Sequence, residues 1–270
     1  MKTSNKILVW TLLIILGTIV GAQIALYARY KAGDILTSAE IYRQNHVRRE
    51  LPEPAHLVIR GVYEVHFLRA GQFAIEFEKE GIQKGDFIEP LPGVRSKHRE
   101  DGEMIIQPRY HRSGDTLIID GYDPQDTAHI HLNPGARMLN IFGYTGGDIQ
   151  LEGGNAHIEG GSAAEGQDFR ILLKQNRLSL VGNEAMADTA MISRHFRNMT
   201  INATDNSGFE LGPGTFVRDL SLDLDSTSSL TENGGWSVGQ MHLRVDDRSG
   251  LQINGQLLKK VQGQPTPAGR

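Results

Sequence analysis

Four stretches decide the fold: Gln175-Asn176-Arg177-Leu178-Ser179-Leu180-Val181-Gly182, Phe196-Arg197-Asn198-Met199-Thr200-Ile201-Asn202-Ala203, Val217-Arg218-Asp219-Leu220-Ser221-Leu222-Asp223-Leu224 and Val238-Gly239-Gln240-Met241-His242-Leu243-Arg244-Val245. Each begins 21 residues after the one before. Written under one another they give four columns. Gln175, Phe196, Val217 and Val238 form the first, and Leu178, Met199, Leu220 and Met241 the second. Leu180, Ile201, Leu222 and Leu243 form the third, and Gly182, Ala203, Leu224 and Val245 the fourth. Phe209, Leu230 and Leu251 recur at the same step, 31 residues after Leu178. The residues between are mostly Ser, Thr, Asn, Asp and Arg. Alternation within each stretch is strand periodicity, and a fixed repeat of roughly 20–25 residues is the mark of a β-solenoid.

The physics behind that mark is local. Ordering 21 residues costs about 1–2 kcal/mol each in backbone entropy, and one rung cannot cover its own apolar side chains. Stacking rungs at about 4.8 Å sets Ile201, Leu222 and Leu243 in a dry row, each buried side chain contributing roughly 1.5–3 kcal/mol. The expected fold is therefore all-β, a parallel β-solenoid of about 21-residue rungs, with a β-sandwich of coincidental spacing as the competing reading.

Upstream, Gly146-Gly147, Gly153-Gly154 and Gly160-Gly161 recur every seven residues, the length of one short strand and a turn. Three such sides would close one coil. Alternation places Leu57, Ile59, Tyr63, Val65 and Phe67 on one face, and after a break Phe73, Ile75 and Phe77, with Glu76 and Glu78 outward. That pattern predicts a β-hairpin region ahead of the solenoid. Gly81–Gly102, with Pro90 and Pro92, reads as a loop. Met104–Ile106 and Thr116–Ile119 read as a strand pair around His111-Arg112-Ser113-Gly114-Asp115.

The N-terminus has another character. Ile7 to Ala28 carries no charge and reaches about 33 Å as a helix, enough for a hydrocarbon core of about 30 Å. Lys2 and Lys6 precede it, Arg29 and Lys31 follow, and Tyr27 and Tyr30 sit where interfacial aromatics belong. A transmembrane anchor over 1–31 is expected. The rival is a cleaved signal peptide with Val20-Gly21-Ala22 before Gln23, against which the apolar run continues through Ile24, Leu26 and Tyr27. Gly17, Gly21 and Ala25 share one helix face and offer a homodimer contact of the GxxxG kind. Residues 32–56 form a juxtamembrane connector, with a short amphipathic helix around Ile35, Leu36, Ala39, Ile41 and Tyr42 that Pro52 and Pro54 close off. Residues 57–261 form the β-domain and 262–270 a flexible tail.

The 270 residues hold 28 Lys+Arg and 32 Asp+Glu, a net charge of −4, which argues against a nucleic-acid partner. All four basic residues of the first 31 lie around the apolar run, so residues 32–270 carry 24 bases against 32 acids, a net of −8. That suits a translocated domain in the periplasm or at the cell surface. The count of nearby Lys/Arg, two before the span and five after (Arg29, Lys31, Arg43, Arg48, Arg49), pulls the other way, but long domains cross largely regardless of it. The chain has no cysteine, so thiolate chemistry and disulfides are excluded.

Motifs that could carry chemistry read better as structure. Gly235-Trp236-Ser237-Val238-Gly239 fits GxSxG, with His242 and Asp246 beyond it, yet the elbow needs a helix after the serine and this segment continues as a strand. His129 and His131 share a strand face but lack the third and fourth ligands of a zinc site. Asp120, Asp123 and Asp126 lack the spacing and glycine of a calcium loop. The glycine pairs form neither a dinucleotide nor a phosphate loop. Asn198-Met199-Thr200 and Asn202-Ala203-Thr204 match the glycosylation triplet on outward positions. No catalytic residue, cofactor or metal ligand is expected. The outward ladders Ser179–Thr200–Ser221–His242 and Val181–Asn202–Asp223–Arg244, with Asp223 beside Arg244, suit repeated weak contacts with glycans or a protein surface and equally suit a plain solvated wall, with no aromatic platform for sugars to stack on.

The run His56–Glu78, the strand entry Ser113-Gly114-Asp115-Thr116-Leu117-Ile118-Ile119 and the Ser-rich 21-residue rungs resemble the bacterial autotransporter adhesin head, or GIN, domain. The opening Met1-Lys2-Thr3-Ser4-Asn5-Lys6 is similar to the start of many such proteins. The resemblance covers Leu57–Val261 and leaves Gly81–Gly102 unmatched. It implies a β-helical domain held on, or exported across, a bacterial envelope, and brings no catalytic residue with it. The expected function is a non-enzymatic, membrane-anchored adhesion or interaction surface for a surface glycan or an envelope protein. The rival is a regulatory or scaffolding subunit of an envelope membrane complex. A solenoid enzyme acting on polysaccharide would need clustered carboxylates, which the sequence lacks.

Overall fold

The computed structural model describes residues 3–31, 36–68, 71–84, 86–89, 103–122, 136–159, 167–181, 194–212, 215–233, 237–246 and 250–252. The chain divides into two units, 1–45 and 46–270. The first is helical. α1 (Thr3–Lys31) is long and apolar enough to cross a membrane, with mean hydropathy 2.1 over Val9–Lys31 and none of that stretch buried. Its length and composition fit a membrane span or a signal anchor. α2 (Ser38–Asn45) begins with a capping box. The Glu40 N–H donates to Thr37 Oγ1 at 3.3 Å, and the Thr37 N–H donates to Glu40 Oε2 at 2.8 Å. The Thr37 N–H and hydroxyl, both donating to Glu40 Oε2, hold that carboxyl below its ordinary range.

The second unit is built of strands. They are β1 (His46–Glu50), β2 (His56–Arg60), β3 (Val62–Leu68), β4 (Ala74–Glu78), β5 (Gly81–Lys84), β6 (Phe87–Glu89), β7 (Glu103–Ile105), β8 (Arg109–Ser113), β9 (Thr116–Asp120) and β10 (Ala136–Phe142). There follow β11 (Gly147–Glu152), β12 (Asn155–Glu159), β13 (Gln167–Lys174), β14 (Arg177–Val181), β15 (Arg194–Thr204), β16 (Gly208–Leu211), β17 (Thr215–Leu224), β18 (Ser229–Glu232), β19 (Ser237–Val245) and β20 (Gly250–Gln252). Two large mixed sheets result. One has nine strands in the order β1-β4-β10-β3-β12-β14-β16-β18-β20, the other eight in the order β19-β17-β15-β13-β11-β2-β9-β8.

From β11 onward each strand of the eight-stranded sheet is followed by one of the nine-stranded sheet, and each pairs in parallel with its predecessor in the same sheet. Phe196, Val217 and Val238 lie in register, as do Met199, Leu220 and Met241, and Ile201, Leu222 and Leu243. The described first members of the sequence columns, Gln175, Leu178 and Leu180, lie elsewhere, and Gly182 is outside the described residues. Leu178 stands in β14, in the other sheet, opposite Phe209 and so at the head of the Phe209–Leu230–Leu251 column. Phe169 is the residue opposite Met199, because this step spans 30 residues and not 21. Ser179 and Val181 leave the outward ladders for the same reason, and Gln175 occupies a corner with φ +50°.

The inner faces form one apolar cluster in which Leu57, Ile59, Leu151, Ile171, Ile201 and Leu222 of one sheet meet Val65, Phe67, Leu178, Leu180 and Phe209 of the other. Leu243 and Val245, on the edge strand β19, pack against it half-buried. Tyr144 sits among Phe67, Phe73 and Phe169 with ring centroids 6.1–6.3 Å away, and burial raises its phenol well above the ordinary value.

Several earlier expectations need correction. Not all pairing is parallel: β1–β4, β4–β10 and β8–β9 are antiparallel. The expected hairpin does not form, because β10 lies between β3 and β4. Tyr63 faces solvent and Val62 is buried instead, just after the turn at Gly61, φ +63°, between β2 and β3, while Val65 and Phe67 keep the expected side. Glu76 is buried and receives a hydrogen bond from Asn140 Nδ2 at 3.3 Å. The connector holds a strand, β1. Part of the expected loop 81–102 forms β5 and β6, which join β7 in a small sheet, so the partner of β9 is β8 and not Met104–Ile106. Of the three sides drawn from the glycine pairs, β11 and β12 supply two, one in each sheet, while Gly160-Gly161 lies outside the described residues.

Candidate functional site

In a parallel ladder a residue type repeated at one register becomes a row across the sheet. The outer face of the eight-stranded sheet carries such rows. One runs Thr116–His56–Asp148–Arg170–Thr200–Ser221–His242. The next, two residues along each strand, runs Ile118–Val58–Gln150–Leu172–Asn202–Asp223–Arg244.

Charges in these rows are met by neighbours on adjacent strands. His56 Nδ1 is 3.1 Å from Asp148 Oδ2, and Arg170 Nε is 2.6 Å from Asp148 Oδ1. No well-aligned donor reaches that Oδ1, so the Arg170 contact is ionic in character. Arg244 lies 3.6 Å from Asp223, the pairing expected from the sequence, and being exposed it contributes little. Beside the rows, Arg197 grips Asp168 through two bonds of 2.9 and 2.6 Å, and this holds the Asp168 carboxyl below its usual range.

What remains open to a partner is a chain of neutral donors and acceptors, Gln150, Thr200, Asn202 and Ser221, ending at His242. Two shallow hollows of about 380 and 390 Å³ lie along it and share Thr200 and Asn202. Leu172, 39% exposed, adds an apolar step between Gln150 and Asn202. The geometry suits an extended partner lying across the strands.

The opposite face has a row that the sequence did not disclose: Glu76–Asn140–His66–His157–Ser179–Glu210–Thr231–Gln252. His66 and His157 stack with centroids 5.0 Å apart and planes 17° from parallel. Burial, and then the charge of His66, lowers the His157 pKa against the pull of Glu64 and Glu210. They are 91 residues apart in sequence, and no repeat links them.

The other candidates separate. Ser237 opens β19 opposite Phe216, and His242 lies in register with Ser221, so the described part of the GxSxG motif, from Ser237 on, is strand. Gly235, Trp236, His129, His131, Asp123 and Asp126 lie outside the described residues. Asp120 ends β9, where its Oδ1 accepts the Tyr122 N–H at 3.1 Å. Asn198 and Asn202 are both exposed. Among the described residues no three His, Asp or Glu side chains come together as metal ligands. Nothing lies within 4 Å of the Cβ positions of Gly17 and Gly21. Comparison with protein-family models, with curated proteins and with solved structures found no match to this chain.

Proposed function

We propose that the chain is a non-enzymatic, membrane-anchored protein of a bacterial envelope, of GIN-domain type, whose strand pairs are the rungs of a β-solenoid and whose eight-stranded face is an adhesion or interaction surface. The observation that carries this reading is the parallel pairing from β11 to β19, shifted once at Gln167/Asp168 and unbroken beyond it, which lines up Gln150, Thr200, Asn202 and Ser221 along one face. Groups repeated at about 4.8 Å favour a partner that also repeats, such as a glycan chain or an extended protein segment. α1 supports anchoring, with the β-domain in the periplasm or at the cell surface.

The test is photo-crosslinking in intact cells from a reactive residue placed at Asn202, with exposed Thr227 as control. Enrichment of one glycan or envelope protein at position 202 is expected. Equal labelling from both positions would remove the face from the proposal. Protease digestion of the β-domain only after inner-membrane lysis would remove the envelope placement.

A further inference from the structure

The ends of the two large sheets where antiparallel strands lie differ from the ends built by β19 and β20. β1 reads His46-Val47-Arg48-Arg49-Glu50 and β8 reads Arg109-Tyr110-His111-Arg112-Ser113, and every residue of β8 is exposed. Charged edges of this kind discourage strand addition. That role alone does not account for the hollow between them. Val47, Arg49 and Phe77 line it on one side and Gln107, Pro108, Arg109 and Tyr110 on the other, around about 340 Å³. The Tyr110 ring lies 6.3 Å from Phe77 and closes the apolar floor.

The other cations of this end are engaged. Arg48 lies over the Phe142 ring at 4.3 Å, and Arg112 donates to the Gly114 and Pro52 carbonyls at 3.0 and 3.1 Å. Among the described residues Arg49 and Arg109 have no ion pair and no carboxylate lines the hollow. Asp120, opposite Arg109 in the ladder, makes no ion pair with it, and its Oδ1 accepts the Tyr122 N–H. Two free guanidiniums over an aromatic floor, in a domain of net negative charge, make an anion site; arginine's planar fork matches phosphate oxygens.

We propose that this hollow takes the phosphate of an anionic phospholipid headgroup. The source of the phosphate follows from the chain: β1 begins 15 residues after Lys31, the end of the apolar helix. A tether that short keeps headgroups at high effective concentration, and the interfacial tyrosine and arginines are the residue types that such surfaces select. The inference rests on the membrane-anchor reading of α1.

The test uses the full chain in nanodiscs of phosphatidylcholine alone or with phosphatidylglycerol. Co-migration with the discs reads the anchor first, so its failure shows separately. Hydrogen exchange at 46–50 and 109–113 then reads the site. Exchange should slow about 30-fold in the anionic discs, roughly 1 kcal/mol from each arginine. Arg49→Gln with Arg109→Gln should abolish that difference, while Arg244→Gln leaves it intact. Equal exchange in both discs, or equal slowing by inorganic phosphate with phosphatidylcholine discs, would overturn the proposal.

Discussion

Replacing Leu222 by alanine should cost about 2–5 kcal/mol, whereas Ser221→Ala should stay within about 0.5 kcal/mol. Leu222 is 2% exposed between Ile201 and Leu243, and Ser221 faces water one residue away. Urea denaturation of both variants measures the contrast. Asp225 gives a second residue-scale prediction. Burial pushes its carboxyl upward, but bonds from the Ser228 hydroxyl and from the backbone N–H groups of Asp205 and Thr227 outweigh this and lower the pKa to about 2. The unfolded value is about 3.9, so this contribution to stability is complete above that pH and is lost as the pH falls toward the folded value. Asp225→Asn should flatten that limb of the stability profile. His157 titrates in a different window. Its folded pKa is lowered, so stability should fall as the pH drops below about 6.5, and His157→Gln should remove that dependence. The inward residues were legible because alternation reports which side a strand buries; the stacked histidines were not, because only the topology brings residues 66 and 157 to adjacent strands.

At the scale of elements, the corners explain why some strands were legible and others were not. β15, β17 and β19 follow one another at a constant step, so their columns stand out in the sequence. The step from β13 to β15 is nine residues longer, and a fixed-step comparison slides past Phe169 and picks up Leu178 from the other sheet. A turn also interrupts the pattern within Leu57–Phe67, where just after Gly61 the buried residue is Val62 and not Tyr63. Corner geometry is itself testable. Gly154 has φ +77°, and a Cβ there would run into the Val62 carbonyl oxygen. Gly154→Ala should therefore destabilise by at least about 1 kcal/mol, against little change for Gly71→Ala, where nothing lies within 4 Å, as read from thermal melts.

At the scale of the molecule, the sequence announces a β-domain and an apolar helix but not the order of the first strands. β2 and β3 come early in the chain, yet β9 and β10 pair on one side of them and β11 and β12 on the other. No local pattern encodes that choice; it follows from long connections that periodicity cannot follow. The same limit applies to the site, since the Thr200–Ser221–His242 part of its row was readable from the repeat and the His56–Asp148–Arg170 part was not. The account's central claim is the parallel stacking of successive strands at this register. A chain without native cysteine allows it to be measured directly, by paired cysteine substitutions and oxidation, because a disulfide needs Cα atoms within about 7 Å. Ser221→Cys with His242→Cys, and Thr200→Cys with Ser221→Cys, should cross-link within the monomer. Thr200→Cys with His242→Cys, two strands apart, and Ser179→Cys with Thr200→Cys, in different sheets, should stay reduced. Closure of either of the latter pairs while the adjacent pairs remain open would contradict the account.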